Sequence, residues 1–173
     1  MSNYEIPVLV GQVAEYLLRH QQKLAVAESC TGGWVAKVLT DLAGSSEWFE
    51  RGFVTYSNQA KCEMLGVSET TLNTFGAVSQ ETVCEMALGT LNNSHADFSL
   101  SVSGIAGPDG GSEDKPVGLV WFAWAKEENK EPIIIASEHQ IFKGDREAVR
   151  QQAVEYVIAK LIALLDEKPW LSD

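Results

Sequence analysis

The feature that most constrains the fold of this chain is an alternation of amphipathic helices with short apolar runs. Apolar residues between positions 10 and 18 recur at i, i+3, i+4, i+7 and i+8, which predicts a first helix. The run 24–27 has the length of a buried strand, and helical spacing resumes between positions 35 and 42. A chain that alternates in this way packs helices against the faces of a sheet.

Later segments first continue this alternation and then place two strands in succession. The next predicted elements are a short helix at 47–51, a strand at 53–57, a helix at 58–65 ended by Gly66 and a helix that Ser79 caps and that reaches Asn92. They are followed by strands at 98–102, 119–125 and 133–142, a hairpin turn at 127–130 and a final helix with apolar residues from 149 to 165. This order predicts a single α/β domain over residues 1–173, a three-layer α/β/α arrangement with a mixed, partly parallel sheet.

Charge and length limit the partners of the chain. Its 173 residues fit one domain, and 13 lysines and arginines stand against 24 aspartates and glutamates. The net charge of −11 repels the backbone of DNA or RNA, and no basic stripe reverses the sign locally. No apolar run approaches the roughly 20 residues that span a bilayer, and the N-terminus does not resemble a signal peptide. We expect a cytoplasmic protein, compatible with a homo-oligomer, that binds neither nucleic acid nor membrane.

The three cysteines, Cys30, Cys62 and Cys84, are widely spaced and include no CxxC pair. This spacing predicts neither a disulfide framework nor a zinc cluster, and it agrees with reduced thiols in the cytoplasm. Cys30 could act as a nucleophile, because a helix N-terminus lowers the pKa of a thiol. It could equally be a buried packing residue, since the chain offers it no obvious histidine partner.

The first of three candidate loops, 28–33, joins a predicted strand to a predicted helix. Its free backbone N–H groups, with Gly32 and Gly33, could bring a phosphate or an oxyanion close to the helix N-terminus. Alternatively, Ser29 or Thr31 caps the helix and the glycines ease its packing on the sheet. The residues alone leave both interpretations open.

The second candidate region runs from the Gly-Ser-Ser motif at 44–46 to Lys61. No GxSxG turn occurs, and none of the three histidines lies near a glycine-flanked serine, which removes the usual serine–histidine arrangement. A lysine can replace histidine as the base if burial or a neighbouring cation lowers its pKa. The alternative is structural, with Ser45 or Ser46 capping a helix, Tyr56 in the core and Lys61 in solvent.

The third candidate region holds five of the 14 glycines, between positions 104 and 118, directly after a strand. So many positions without side chains are typical of a pocket wall that lets a ligand touch the backbone. The region lacks the GKS or GKT of a P-loop and the GxGxxG fingerprint. Asp109, Glu113 and Asp114 could suggest a metal, but loop carboxylates are usually solvated, and we expect no metal.

The segment 143–146 precedes the final helix and combines a lysine, a glycine, an aspartate and an arginine. Asp145 is a natural N-cap for that helix. Arg146 either clamps a phosphate with two parallel hydrogen bonds or is solvated in the first helical turn.

Six short motifs, taken together and in this order, closely resemble the CinA C-terminal domain family. They are AESCTGG at 27–33, GSS at 44–46, RGFVTYSN at 51–58, GAVS at 76–79, SGIAGP at 103–108 and KPVG at 115–118. The resemblance extends from about position 13 to position 150 and implies that the carboxamide of nicotinamide mononucleotide is hydrolysed to nicotinate mononucleotide and ammonia. It implies a role in pyridine-nucleotide recycling and no cofactor.

The resemblance also assigns roles to residues of this sequence. It implies that Ser46 is the nucleophile and that Lys61 accepts its proton, directly or through the Tyr56 hydroxyl. The candidate substrate-binding positions are Ser29, Thr31, Gly32, Gly33, Ser103, Gly104, Gly107 and Arg146. Roughly 15 Å of extended chain would separate Ser46 from Tyr56, so this assignment predicts that Ser46 folds back. A nucleotide-binding sensor without turnover is the alternative function.

Overall fold

The structure, a computed structural model, describes residues 5–166. Its helices are α1 Ile6–His20, α2 Trp34–Thr40, α3 Asn58–Leu65, α4 Glu69–Phe75, α5 Gln80–Asn92 and α6 Arg146–Asp166. Its strands are β1 Leu24–Glu28, β2 Phe49–Val54, β3 Phe98–Gly104, β4 Leu119–Glu128 and β5 Glu131–Ile141, and a 3₁₀ turn at Ser45–Glu47 precedes β2.

The five strands form one mixed sheet in the order β2-β1-β3-β4-β5. The central strand β1 runs parallel to both β2 and β3, and its last residue, Glu28, lies beside Val54 and Val102. The pairs β3–β4 and β4–β5 are antiparallel. This mixed, partly parallel sheet confirms the predicted fold class, and it brings the carboxyl ends of β1, β2 and β3 to the same edge.

Helices cover both faces of the sheet because the side chains of β1 alternate between two apolar cores. Leu24 and Val26 face a core built mainly with α1, α2 and α6, whereas Ala25 and Ala27 face a second core with α5. The alanines leave room for a helix to lie close to the sheet. All five residues of β1 are buried, as expected of a strand covered on both sides.

The alternating serines of β3 are buried under α5 and the turn before it. Each of their hydroxyls donates a hydrogen bond to a backbone carbonyl, which satisfies the polar group in an apolar layer. The donor–acceptor pairs are Ser99 to Ala87 at 2.8 Å, Ser101 to Val83 at 2.7 Å and Ser103 to Ala77 at 2.7 Å. Small residues in this strand therefore fix α5 against the sheet.

The position of α3 depends on Gly89 in the neighbouring helix α5. A Cβ atom built on Gly89 would lie 2.0 Å from the carbonyl oxygen of Leu65, which is the last residue of α3. Only glycine allows the two helices to approach this closely without a shift of the backbone. The contact sets the place of α3, which carries Lys61 in its first turns.

Most predicted elements occur where the sequence places them, and three differ. The helix at 58–65 with Gly66 at its end and the Ser79-capped helix to Asn92 are confirmed. The predicted helix at 47–51 is wrong, because the 3₁₀ turn ends at Glu47 and β2 begins at Phe49, four residues before the predicted strand. Helix α4 was not predicted, since Leu72 is its only buried residue and leaves no apolar period to detect.

Within residues 5–166, no helix combines the length and the apolar composition that a membrane crossing requires.

Candidate active site

A cavity of 260 Å³ lies at the carboxyl edge of the parallel strands, where open α/β sheets usually hold their ligands. Its walls come from the turns after β1 and β2, from α3, from the turn before α5, from the end of β3 and from the start of α6. The lining residues are Ser29, Cys30, Tyr56, Asn58, Lys61, Ala77, Val78, Ser103, Gly104, Ala106 and Arg146.

Lys61 is a deeply buried polar residue of this cavity, with 1% of its surface exposed. Its Nζ lies 3.0 Å from Ser29 Oγ and donates to the carbonyl oxygens of Thr55, at 2.9 Å, and Tyr56, at 3.4 Å. The local sequence produces this placement, because β2 leads directly into α3 and Ser57 caps that helix by accepting from the Ala60 N–H at 3.0 Å. The amine is therefore held between two carbonyls and one hydroxyl.

The surroundings of Lys61 favour its neutral form. Burial lowers the pKa of the amine, and the nearby thiols of Cys30 and Cys62 oppose this effect only in part. None of the ion pairs found among residues 5–166 includes Lys61. In its protonated form the amine donates to Ser29 Oγ and to the two carbonyls, and in its neutral form it keeps the two carbonyl bonds and turns its lone pair toward the Ser29 hydroxyl. This arrangement can draw a proton from Ser29.

Ser29 is fixed at the end of β1 on the opposite side of this contact. Its backbone N–H donates to the Val102 carbonyl at 3.0 Å, which continues the β1–β3 pairing by one residue. The side chain is 8% exposed and lines the cavity. The expectation that Ser29 belongs to the site agrees with this position, although the geometry gives it a contact with the amine rather than a capping role.

Cys30 lines the cavity beside Ser29 but is poorly suited to act as a nucleophile. Burial raises the pKa of its thiol to about 12, and the neighbouring charge of Arg150 offsets little of this effect. A thiol in this state stays protonated at neutral pH, and the thiolate is the reactive form. Of the two interpretations of Cys30, the structure supports the packing role.

The N-terminus of α2 is already occupied by a carboxylate of the protein. Glu28 is 1% exposed, and its two carboxylate oxygens accept from the N–H groups of Val35, at 2.8 Å, and Ala36, at 3.0 Å. The N–H groups of Val35 and Ala36 are therefore not free for a phosphate or an oxyanion, and a ligand at the loop 28–33 would use other donors of that loop. The alternative, in which Ser29 or Thr31 caps α2, is wrong, because Gly33 occupies the N-cap position and neither side chain makes a cap hydrogen bond there.

Thr31, Gly32 and Gly33 belong to the turn that carries Ser29 but do not line the cavity. Thr31 is fully buried, and its hydroxyl has no hydrogen-bond partner within residues 5–166. Gly32 and Gly33 have φ angles of 61° and 99°, which let the chain leave β1 and enter α2. The predicted direct contact of these three residues with substrate is not supported by the geometry.

The glycine-rich region after β3 forms the opposite wall. Ser103 and Gly104 line the cavity as predicted, whereas Gly107 lies behind it and accepts a hydrogen bond from Arg146 Nη1 at 2.8 Å. Nη2 of the same side chain donates to the Tyr56 hydroxyl at 3.3 Å. Arg146 thus spans the mouth of the cavity, and Asp145 caps its helix by accepting from the Ala148 N–H.

Ser46 is not part of this arrangement. It is exposed and lies in the 3₁₀ turn before β2, whereas Tyr56 and Lys61 follow the other end of that strand. The six residues of β2 correspond to about 20 Å of extended chain. The prediction that Ser46 folds back toward Lys61 is wrong, because β2 stays paired with β1 from Phe49 to Val54, with one register shift after Phe49. Ser29 is the serine bonded to Lys61.

Tyr56 contacts Lys61 differently from the predicted relay. Its backbone carbonyl accepts from the amine, whereas its hydroxyl accepts from Arg146. The side chain is 62% exposed and stands at the rim of the cavity. A proton path from serine through the Tyr56 hydroxyl to lysine has no support in these contacts.

Three residues near the site were not identified from the sequence. Asn58 lines the cavity, Glu28 holds α2, and Arg150 donates to carbonyls of the turn that carries Ser29. The sequence does carry a signal for Glu28, which lies inside the AESCTGG motif, and one for Arg150, which lies four residues after Arg146 on the same helix. The exposed carboxylates Asp109, Glu113 and Asp114 form no cluster, and no group of three or more metal-ligating side chains occurs in the described part of the chain.

Comparison with known proteins gives matches along nearly the whole chain. Residues 8–165 match the CinA C-terminal domain. Nicotinamide-nucleotide amidohydrolase PncC of Escherichia coli K12 is 54% identical over 161 residues, covering 93% of this chain and 95% of that protein. The protein of the same name from Enterobacter agglomerans is 61% identical over 156 residues, covering 90% and 93%.

Solved structures agree with these matches. The competence damage-inducible protein A of Klebsiella pneumoniae superposes with a TM-score of 0.88 at 37% identity, covering 96% of this chain and 99% of the other. The competence/damage inducible protein CihA of Agrobacterium tumefaciens superposes with a TM-score of 0.85 at 43% identity, covering 95% and 99%.

Proposed function

The chain belongs to the CinA C-terminal domain family, and from this membership we propose that it is a nicotinamide-nucleotide amidohydrolase. In the proposed reaction, water converts the carboxamide of nicotinamide mononucleotide into the carboxylate of nicotinate mononucleotide and releases ammonia. The names of the relatives at 54% and 61% identity support this activity. We place the reaction in pyridine-nucleotide recycling in the cytoplasm. The observation that carries the proposal is the buried contact between Ser29 Oγ and Lys61 Nζ.

We assign the role of nucleophile to Ser29 and the role of general base to Lys61. The lone pair of the neutral amine takes the hydroxyl proton while Oγ attacks the carboxamide carbon. The carbonyls of Thr55 and Tyr56 hold the two remaining amine protons, so that the lone pair faces Ser29. Burial lowers the pKa of Lys61 and so increases the share of this neutral form at any given pH.

The remaining steps use the same two side chains. The protonated Lys61 donates its proton to the amide nitrogen, and the carbon–nitrogen bond breaks. Ammonia departs, and the nicotinoyl group remains bound to Ser29 as an ester. Water then attacks the ester carbonyl while Lys61 again accepts a proton, and Ser29 regains that proton as the carboxylate product departs. Every proton that the amine takes up is returned within the cycle.

A backbone N–H next to the nucleophile would stabilise the negative oxygen of the tetrahedral intermediate. Cys30 follows Ser29 directly and lines the cavity, and its N–H donates to no backbone oxygen within residues 5–166. The residue after a nucleophile often supplies such a donor. One donor of this kind typically contributes about 3 to 4 kcal/mol to the stability of the transition state.

We assign the phosphate of the substrate to Arg146. Its exposed guanidinium lies at the rim of the cavity and uses two nitrogens on Gly107 and Tyr56, and a guanidinium has five N–H donors in all. A local cation of this kind lets a protein with a net charge of −11 bind an anionic substrate.

The proposal is tested by incubating the purified protein with nicotinamide mononucleotide and measuring ammonia and nicotinate mononucleotide together. We expect both products in equal amounts and their loss in Lys61→Met. The exposed Lys37, which pairs only with Asp41 at 2.6 Å, offers the control Lys37→Met, which should remain active. Binding of the substrate without ammonia release over hours would instead indicate a nucleotide-binding sensor.

A further inference from the structure

Arg150 connects the last helix to the turn that carries Ser29, although 120 positions separate it from Cys30. Its Nε donates to the Cys30 carbonyl at 3.0 Å, and its Nη2 donates to the Thr31 carbonyl at 3.1 Å. The guanidinium therefore binds two successive peptide groups with its forked donors. Neither peptide group belongs to a helix or a strand.

The guanidinium is held on its other sides as well. It lies over the ring of Trp34, with 5.3 Å between Arg150 Cζ and the ring centroid. A Cβ atom built on Gly32 would lie 3.5 Å from Nη2, so the cation also passes close to the backbone at that glycine. A planar cation stacked on an indole keeps one orientation, which fixes the directions of its N–H groups.

The two carbonyl contacts complete the fixation of the turn. The N–H of Ser29 is bound to Val102 of β3, which holds the start of the turn. The Cys30 carbonyl belongs to the peptide group between Cys30 and Thr31. In a trans peptide the N–H and the C=O lie in one plane and point in opposite directions, so a bond to this carbonyl fixes the plane of that peptide group. That peptide plane lies one residue beyond Ser29, so fixing it limits the movement of the turn that carries the Ser29 side chain.

The charge of Arg150 also reaches the residue beside the nucleophile. Burial raises the pKa of the Cys30 thiol, and the positive charge of Arg150 acts in the opposite direction. A cation that favours a thiolate at Cys30 favours negative charge in the same turn, where the oxygen of Ser29 becomes negative during attack.

We propose that Arg150 is a positioning residue that holds the Ser29 turn in its reactive geometry by binding the carbonyls of Cys30 and Thr31. This inference rests on the proposed role of Ser29 as nucleophile. Arg150 touches neither Ser29 Oγ nor the cavity, so it acts through the backbone and the local field.

The test measures the reactivity of Ser29 directly with a fluorophosphonate, which forms a covalent bond to an activated serine and expels fluoride. Intact mass gives the labelling rate of the wild type and of Arg150→Ala, and Ser29→Ala identifies the site of labelling. We expect Arg150→Ala to label about 10- to 100-fold more slowly, because displacing a reacting atom by about 1 Å lowers the rate by a factor of this size. Added methylguanidine should restore part of the rate.

Two further variants keep the test informative. Arg150→Lys retains the charge but cannot bind both carbonyls in a fork, so we expect slow labelling that methylguanidine does not restore. It replaces Arg150→Ala if that variant does not fold. Arg19→Ala removes an exposed arginine of α1 that pairs with Glu15 and should label at the wild-type rate.

The outcomes separate this inference from the proposed function. Equal labelling of folded Arg150→Ala and wild type, or a wild type that does not label at Ser29, overturns the inference. Slow labelling in the variants together with a wild type that releases no ammonia from nicotinamide mononucleotide supports the inference and contradicts the proposed substrate. In an active enzyme, kcat should fall with labelling while KM changes less than about threefold.

Discussion

Lys61 Nζ and Ser29 Oγ lie 3.0 Å apart, although 32 positions separate the two residues in the sequence. Each follows a parallel strand, β1 for Ser29 and β2 for Lys61, and the pairing of Glu28 with Val54 sets the ends of these strands side by side. The fold therefore creates the contact. It places a hydroxyl and an amine whose pKa is lowered by burial in one cavity.

The rate of hydrolysis should depend on pH through Lys61. The amine acts only when neutral, and burial lowers its pKa below the ordinary value of 10.5. We expect kcat/KM to rise with pH through an inflection below that value. Lys61→Arg should abolish the rise and the activity, because a guanidinium stays protonated, whereas Lys37→Arg should keep the wild-type profile. An unchanged profile in Lys61→Arg would remove the lysine from the mechanism.

The same pKa predicts how stability varies with pH. A lysine whose pKa is lowered by folding binds its proton more tightly in the unfolded chain, so stability rises from the folded-state pKa up to about 10.4. Lys61→Met removes this dependence. Relative to wild type, Lys61→Met should therefore be more stable at about pH 6 than at about pH 10. Urea unfolding at both pH values measures the difference, and a difference that is equal at the two would contradict the buried amine.

Glu28→Gln should destabilise the fold by about 1 to 3 kcal/mol, because the carboxylate accepts two backbone hydrogen bonds in a buried position. The amide keeps one good acceptor and loses the charge that favours the α2 N-terminus. Glu63→Gln is the matched control, since Glu63 is exposed and bonds only Gln59. Equal stability of the two variants in urea unfolding would show that the carboxylate does not hold the helix.

Arg146→Ala should weaken recognition of the phosphate. Loss of charged hydrogen bonds worth about 1.5 to 3 kcal/mol corresponds to a fall in kcat/KM of about 10- to 100-fold for nicotinamide mononucleotide. Nicotinamide riboside, which lacks the phosphate, should be affected less than about threefold. Arg51→Ala provides the control, because Arg51 pairs with Glu50 outside the cavity. An equal loss for both substrates would mean that Arg146 only links Gly107 to Tyr56.

Local sequence rules located the helices that frame the site. Gly66 and Ser79 occupy cap positions whose φ angle or side chain ends or starts a helix, and such signals act over a few residues. The edge strand β2 was displaced in the prediction because its side chains are mostly half-buried or exposed and show no alternation.

The pairing within the site could not be predicted, because it depends on strand order. The family resemblance paired Ser46 with Lys61, whereas the parallel pairing of β1 with β2 brings Ser29 to the lysine. The contact of Arg150 with Cys30 spans 120 positions and likewise depends on how α6 packs on the sheet. Residue types indicated which groups matter, and tertiary packing determined which of them meet.

The central claim is that Ser29, and not Ser46, forms the covalent intermediate with Lys61 as its base. The direct measurement compares ammonia release by Ser29→Ala and Ser46→Ala and uses peptide mass analysis of the quenched and digested wild-type reaction to locate the nicotinoyl ester. We predict no release by Ser29→Ala, near wild-type release by Ser46→Ala and an ester on the peptide that contains Ser29. Release by Ser29→Ala, or an ester on the peptide that contains Ser46, would contradict this account.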